Sequence, residues 1–299
     1  MAFRALFLFI IFVISNSCAS TRSFVVELSD TNLAQGGVEV FRLGGAAEGI
    51  SASFTGGEAF VLEAESGSWG VVAADLETEP GSYELILKRG GTKITATVDV
   101  VEGDYGMQRL KLPPDMVEFS GETLERIKRE KALLSALWSP SSEKQGEGPL
   151  WSGPFIMPVE GRVTGNFGKK RILNGSPRRP HGGVDIAAPR GTPVKASNSG
   201  TVAFTGDFFF YGRFVVIDHG LGVFTLYAHL SAIDVEPGEA VDKGEVIGHV
   251  GATGRATGPH LHFTVKVGGA KVSPAGFFRA TGPLISGPSM ETSKGAASG

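Results

Sequence analysis

Two short motifs in the second half of the chain carry side chains that bind transition metals in proteins. His181 and Asp185 lie four residues apart, and the glycines between them favour an extended chain in which both side chains point to one side. His260 and His262 are two residues apart on a predicted strand, so their imidazoles share a face. Either pair alone is weak evidence, because such pairs also occur by chance. Together they offer nitrogen and oxygen ligands to one ion, with one histidine to spare.

These ligand types favour zinc. Magnesium and calcium prefer shells made only of oxygen, whereas imidazole with one carboxylate suits zinc. Catalytic zinc usually has three protein ligands and a water molecule, whose pKa the ion lowers to roughly 7. Cys18 is the only cysteine of the chain, which excludes a closed thiolate site. The sequence therefore predicts one zinc ion, Zn2+, at a hydrolytic site.

Peptide hydrolysis needs two further groups. One accepts the proton of the attacking water, and the other stabilises the oxyanion of the tetrahedral intermediate. His229 and the histidine of the second pair that does not bind the metal are candidates for both roles. Tyr227 precedes His229 by two residues, so we expect both side chains on one face. The remaining histidines, His219 and His249, are predicted to be structural residues of a turn and a strand.

The elements that must position these residues are predicted to be antiparallel strands. No segment with helical periodicity separates the strand-like runs, which argues against a parallel βαβ arrangement. The predicted strands cover residues 200–204, 214–218, 223–230, 245–250 and 260–267.

The first half of the chain shows no group of catalytic residue types. Residues 23–102 alternate apolar and polar positions between glycine-rich turns, which predicts a small β-sandwich. Residues 120–138 predict a packing or spacer helix, and the composition of residues 139–154 indicates a linker. The predicted fold class is therefore mainly β: an N-terminal sandwich, a short helix and a C-terminal antiparallel sheet domain. The apolar face of the helix is predicted from Leu124, Ile127, Leu134 and Trp138.

The N-terminal residues 1–20 have the layout of a secretory signal peptide. Arg4 gives a positive start, an apolar run follows, and small residues precede a polar chain. The alternatives are an uncleaved anchor and a lipoprotein signal with its lipid on Cys18, although the preceding residues depart from the usual lipobox. Each of these three readings predicts an exported protein of the periplasm or cell envelope. The N-terminal segment is the only part that is expected to contact the membrane. The net charge of −3 argues against nucleic acid as the main partner.

The motifs in this order resemble the LytM/lysostaphin-type zinc metallopeptidases, peptidase family M23. The resemblance runs from about Phe155 to Pro274, and the strand-plus-helix region before it looks more loosely like an accessory N-terminal domain. The sequence patterns and this resemblance together predict five segments. They are residues 1–20 for the signal, 23–102 for the sandwich, 103–154 for the helix and linker, 155–282 for the peptidase domain and 283–299 for a disordered tail. The matching segments are Gly165-Asn166-Phe167-Gly168, 181–187, 191–194, 200–202, 227–231 and 254–263.

The resemblance implies roles for five residues. It implies that His181, Asp185 and His262 bind zinc, and that His229 and His260 flank the water as base and oxyanion stabiliser. It also implies a groove over an antiparallel sheet that holds an extended peptide.

Three residues are expected to contact the substrate. Arg171 lies in a basic loop that also holds Arg178, and it is expected to bind carboxylates of a bacterial cell-wall peptide. Such loops are more often only solvated. Asn174 lies in a predicted Asn-Gly turn beside that loop, and Tyr227 is the third candidate.

The leading hypothesis is a zinc metalloendopeptidase that hydrolyses peptide cross-links of bacterial peptidoglycan. One alternative is a non-catalytic wall-binding or regulatory module, which is expected to have lost zinc ligands that are all present here. The other is a zinc protease that acts on proteins. The sequence does not tell a glycine bridge from a D-amino-acid cross-link as the bond that is cut.

Overall fold

The computed structural model is mostly β with antiparallel sheets, which confirms the predicted mainly β class. Within the described residues, neither of the two helices combines the length and apolarity that crossing a bilayer requires. The structure describes residues 9–11, 25–28, 30–64, 67–111, 113, 118–119, 121–138 and 148–285. The predicted signal segment lies outside these residues except for Phe9–Ile11, and so do Cys18 and the tail from residue 286 onward.

The N-terminal half is one strand path that folds over on itself. Its order is β1-β2-β4-β7-β6-β5-β8-β9-β3, antiparallel except for the parallel pair β3–β9. Phe41 and Val72 from one end of the path share a core with Leu85 and Val98 from the other, as expected for a sandwich. The strands are β1 (Phe9–Ile11), β2 (Val25–Leu28), β3 (Asn32–Ala34), β4 (Val38–Gly44), β5 (Ser51–Phe54), β6 (Gly57–Ala64), β7 (Gly67–Ala73), β8 (Gly81–Arg89) and β9 (Thr92–Val101).

The C-terminal half is a second antiparallel sheet with the order β11-β14-β21-β18-β17-β16-β19, flanked by β15, β20 and β22. All five strands predicted there are present. The helix α2 was not predicted; it packs Phe277 into the core against Phe155. The elements are β11 (Arg162–Gly165), β12 (Lys170–Leu173), β13 (Ser176–Arg178), β14 (Val184–Ala187), β15 (Pro193–Lys195), β16 (Gly200–Phe208), β17 (Gly212–Asp218), β18 (Val223–Ile233), β19 (Ala240–Val241), β20 (Val246–Val250), β21 (His260–Val267), β22 (Ala270–Val272) and α2 (Pro274–Ile285).

The segment between the two halves is more structured than a linker. Strand β10 (Met107–Leu110) pairs in parallel with β12 and so joins the second half. Trp151, inside the predicted linker, is buried with its ring 5.9 Å from that of Phe60 in the first half. The prediction that residues 103–154 form only a helix and a linker is therefore wrong at both of these places.

The helix α1 (Gly121–Leu137) agrees with the predicted helix to within one residue at each end. Leu134, Leu137 and Trp138 pack on the sheet, and the Trp138 ring lies 5.5 Å from the ring of Phe224. Leu124 is 39% exposed and does not belong to this contact, so the apolar face is shorter than predicted. The helix rests on one face of the second sheet through half-buried side chains.

Candidate metal centre and active site

Three predicted ligands converge where β14 pairs with β21. His181 Nε2 lies 3.0 Å from Asp185 Oδ1, and His262 Nδ1 lies 2.8 Å from the same oxygen. The two ring nitrogens are 3.1 Å apart. Tetrahedral zinc with bonds of about 2.0–2.1 Å would hold such atoms roughly 3.3 Å apart. The three side chains therefore fit a metal ion with a slight outward shift, and their atoms form a group able to hold one.

The outer nitrogens of both candidate histidine ligands are occupied, so the inner nitrogens are the ones that could bind a metal ion. His181 Nδ1 lies 3.0 Å from the carbonyl oxygen of Asn166, to which it donates. His262 Nε2 lies 3.1 Å from Thr264 Oγ1. Hydrogen bonds of this kind set the tautomer and orientation of metal-binding imidazoles. The nitrogen of each ring that faces Asp185 is therefore the candidate metal ligand.

The chain reaches this geometry by a turn rather than by the extended segment that was predicted. In a strand, residues four apart are separated by about 13 Å, which is too far for the 3.0 Å contact between His181 and Asp185. His181 instead precedes β14, and residues 181–183 bend before the strand begins. A Cβ on Gly183 would overlap the backbone oxygen of Phe263, so only glycine allows this close approach. A Cβ on Gly165 would likewise overlap the Asp185 carboxylate.

A β-bulge brings His229 to the centre. Val215 pairs with Tyr227, whereas Arg213 pairs with Leu230, so a single residue of β17 faces two residues of β18. His229, one of those two, has a φ of 65°, a backbone conformation unusual for a residue with a side chain. Its ring centroid lies 5.9 Å from that of His262. Without the bulge, alternation would send this side chain to the core.

His229 and His260 face each other beside the three ligands. Their ring centroids are 4.7 Å apart, and His260 Nε2 lies 3.9 Å from Asp185 Oδ1. His229 Nδ1 donates to the Thr253 carbonyl oxygen at 2.8 Å, and His260 Nδ1 donates to the Gly258 carbonyl oxygen at 2.8 Å. Both rings therefore keep Nε2 available as a proton acceptor.

The protonation states suit metal binding. Burial alone raises the pKa of Asp185, but hydrogen bonds from His181 and His262 outweigh it and hold that pKa far below its ordinary value. Burial, with repulsion from His262 and His260, lowers the pKa of His229 to about 3. Burial also lowers the pKa of His262. A carboxylate beside a neutral imidazole, here Asp185 and His262, is the form that coordinates a divalent ion.

Of the three predicted substrate contacts, the structure excludes one. Tyr227 is fully buried on the core side of the sheet, where its hydroxyl oxygen accepts from the Ser197 backbone N–H at 2.8 Å and lies 2.8 Å from Thr225 Oγ1. It cannot reach a peptide on the opposite face, and it does not share a face with His229. The assignment of Tyr227 to substrate binding is therefore wrong.

The other two predicted contacts lie on the hairpin β12–β13. Arg171 Nη2 is 3.6 Å from Asp185 Oδ2, directly beside the metal centre. Asn174 is exposed in the two-residue turn, where its φ of 50° and the φ of 83° at Gly175 fit the predicted Asn-Gly turn. The geometry thus brings Arg171 to the centre and leaves Asn174 at the tip of the hairpin.

Sequence reasoning missed a rim of residues around the centre. The guanidinium carbon of Arg255 lies 4.4 Å from the ring centroid of Phe210, and the Arg255 N–H donates to the Phe210 carbonyl oxygen. The Tyr211 ring centroid lies 6.2 Å from that of His262. Arg255 stands five residues before His260 in a glycine-rich loop, and that proximity was the available signal.

The sequence matches one protein-family model and several curated proteins. A model described as Peptidase family M23 matches residues 179–274. "DD-carboxypeptidase/endopeptidase Mpg" of Neisseria meningitidis is 54% identical over 113 residues, and "Peptidoglycan DD-endopeptidase ShyA" of Vibrio cholerae is 44% identical over 113 residues. Each alignment covers 38% of this chain and 26% of the relative. The chain thus matches about a quarter of the length of these curated relatives.

One solved structure matches both halves. It comes from Pseudomonas aeruginosa, is described as "peptidase M23" and is 34% identical, with a TM-score of 0.65. The match covers 83% of this chain and 95% of that one. A likeness at this identity over nearly the whole of a relative, together with the family match across the metal centre, shows that this chain belongs to peptidase family M23.

Proposed function

We propose that the protein is a zinc-dependent metalloendopeptidase that hydrolyses peptide cross-links of bacterial peptidoglycan outside the cytoplasm. The observation that carries the proposal is the convergence of His181, Asp185 and His262, with two further imidazoles beside them. The names of the Neisseria and Vibrio relatives supply the substrate class. A regulatory module without catalysis would not need this complete set of groups.

The proposed mechanism assigns a separate task to each side chain. His181, Asp185 and His262 would hold zinc, which when bound polarises a carbonyl and makes its water acidic. His229 and His260, each held through Nδ1, would share the remaining tasks. The Nε2 of one ring would accept the proton of the water, and the other ring, in its protonated form, would donate its Nε2–H to the oxyanion. The peptide would lie extended along the sheet face beside β21.

Digestion of purified cell walls tests the proposal. We expect zinc-loaded protein to release fragments whose masses show newly freed amino and carboxyl groups at the peptide cross-links. A chelator should stop the release, and added zinc should restore it. Casein serves as the comparison substrate. Cleavage of casein without wall fragments would support the alternative of a protease on proteins, and the absence of both activities would contradict the proposal.

Helix α1 lies on the sheet face that carries the metal centre. Across the pair β18–β21, Ala228 faces His262 and Phe224 faces Lys266, and these residues alternate onto one face. Lys266 Nζ lies 5.1 Å from the Trp138 ring of the helix region. Trp138 therefore packs about 13 Å along the strand from His262. The helix occupies surface over which an extended substrate could run.

Loosening this helix is expected to raise activity several-fold on intact walls. Replacing both Leu134 and Trp138 by alanine removes two of the three side chains through which the helix packs on the apolar surface of the sheet, and it leaves the metal centre unchanged. Leu133→Ala is the matched control, because Leu133 is 56% exposed on the same helix. Rates of fragment release would be compared at equal zinc content. An unchanged or lower rate in the double variant would mean that α1 is a wall of the groove and does not restrict it.

A further inference from the structure

The candidate metal ligand His181 is tied to a short neighbouring segment, residues 166–169, through both its ring and its backbone. The ring donates from Nδ1 to the Asn166 carbonyl oxygen at 3.0 Å. The Gly168 N–H donates to the His181 carbonyl oxygen at 2.8 Å, and the His181 N–H donates to the Lys169 carbonyl oxygen at 3.0 Å. The orientation of His181 therefore depends on where this segment lies.

Phe167, in the middle of the segment, packs against the N-terminal half of the chain. Its side chain is buried, and a Cβ on Gly36, in the turn after β3, would overlap the Phe167 ring. Only glycine leaves room for the ring there. The Asn166 carbonyl belongs to the same planar peptide unit as the nitrogen and Cα of Phe167. Fixing Phe167 therefore restricts the direction of the carbonyl that holds His181.

The ring of Tyr105, just before β10, covers the same segment. It meets the Phe167 ring edge to face, with the centroids 5.4 Å apart and the planes at 88°. It also lies on the backbone of Gly168, where a Cβ would overlap it. The φ of 78° at Gly168 favours glycine as well. The Tyr105 ring is thus in contact with the residue whose N–H binds the His181 carbonyl.

The hydroxyl group of Tyr105 connects this ring to the N-terminal sandwich. It donates to the Gln35 carbonyl oxygen at 2.6 Å. Gln35 is itself held by its neighbours, since its N–H donates to the Val101 carbonyl oxygen at 2.9 Å. Its side-chain amide donates to the Thr78 carbonyl oxygen at 2.7 Å. Tyr105 is therefore anchored on backbone that the sandwich holds in place.

We propose that Tyr105 and Phe167 are positioning residues for the metal centre, through which the N-terminal half sets the orientation of His181. The inference rests on the metal centre of the proposed function. The two rings hold residues 167 and 168, and these in turn hold the groups that bind His181. Partners of metal-binding imidazoles contribute to metal affinity. The N-terminal half thus strengthens metal binding by packing, without a ligand of its own among the described residues.

The zinc affinity of the full chain tests this role. Tyr105→Ala removes both the ring that covers Gly168 and the hydroxyl anchor. We expect its zinc dissociation constant to rise about tenfold, the lower end of the effect of losing a direct partner of a metal-binding imidazole. Tyr105→Phe keeps the ring and should recover most of the native affinity. The constants are measured by competition with a chelator, and the visible spectrum of the cobalt-loaded protein reports the ligand geometry.

Tyr83 offers a matched control inside the sandwich. It is also half-buried, its ring meets that of Phe54 edge to face at 6.1 Å, and its hydroxyl donates to the Glu79 carbonyl oxygen at 2.8 Å. Tyr83→Ala therefore loses the same kinds of contact as Tyr105→Ala and should lower the free energy of unfolding to a similar degree. Its zinc dissociation constant and cobalt spectrum should stay native, because Tyr83 does not act on His181.

The outcomes separate the positioning role from the peptidase proposal. Native zinc affinity and a native cobalt spectrum in folded Tyr105→Ala would overturn the positioning role and leave the peptidase standing. Equal losses of affinity in Tyr105→Ala and Tyr83→Ala would do the same. A native chain that does not bind zinc would overturn both proposals, and one that binds zinc but cleaves no wall peptide would contradict only the peptidase. If Tyr105→Ala does not fold, Tyr105→Leu and Tyr83→Leu provide the same comparison.

Discussion

Replacing Asp185 by alanine should remove both the bound metal and the hydrolytic activity. Asp185 is the proposed oxygen ligand, and its Oδ1 lies 3.0 Å from His181 Nε2 and 2.8 Å from His262 Nδ1. Loss of an outer hydrogen-bond partner of a metal ligand already costs roughly 10–100-fold, so loss of a ligand should lower kcat/KM by more than about 1,000-fold. Metal content by elemental analysis and the rate of wall digestion are the two measurements.

A second aspartate–histidine pair provides the control for this experiment. Asp234 Oδ2 lies 3.0 Å from His249 Nδ1, with both side chains partly exposed and no third ligand grouped with them in the described residues. Asp234→Ala should therefore keep one zinc per chain and the native rate. Asp185→Asn preserves the shape of the side chain and isolates the loss of charge. An Asp185→Ala protein with full zinc and full activity would contradict the assignment of this ligand.

The histidine pair on β21 was predictable because its geometry is local. Alternation along one strand places His260 and His262 on one face, while Leu261 and Phe263 fill the core with no exposed surface. The limits of the strands in the C-terminal half were also predictable, because apolar runs bounded by glycine and polar residues mark strand ends in the local sequence. The metal centre needs only these strands and the short turn after His181.

What alternation could not predict is the bulge in β18. Period-two reasoning places Tyr227 and His229 together, but the extra residue and the φ of 65° separate them onto different faces. A bulge depends on how β17 and β18 register against each other, and that register comes from tertiary packing. The burial of Trp151 was not predictable for the same reason, because it depends on packing against Phe60 from the distant first half. Arg255 was missed because its neighbours come from another loop.

Replacing His229 by alanine should separate catalysis from metal binding. Its ring is fixed by the Thr253 carbonyl, lies 4.7 Å from the His260 ring and is not among the three converging ligands. Loss of a general acid or base typically costs about 100–10,000-fold, so kcat should fall by that range while zinc content and KM change little. His260→Ala should behave in the same way, because it occupies the mirrored position in the pair.

His219 shows what a structural role would look like in this experiment. His219 is buried between the Ser199 carbonyl oxygen at 2.8 Å and Thr225 Oγ1 at 2.7 Å, so His219→Ala should lower the free energy of unfolding and leave kcat of the folded fraction unchanged. Loss of zinc from His229→Ala, or a native kcat in that variant, would contradict its proposed role. Retained zinc with a collapsed kcat follows only if His229 acts on the reacting groups.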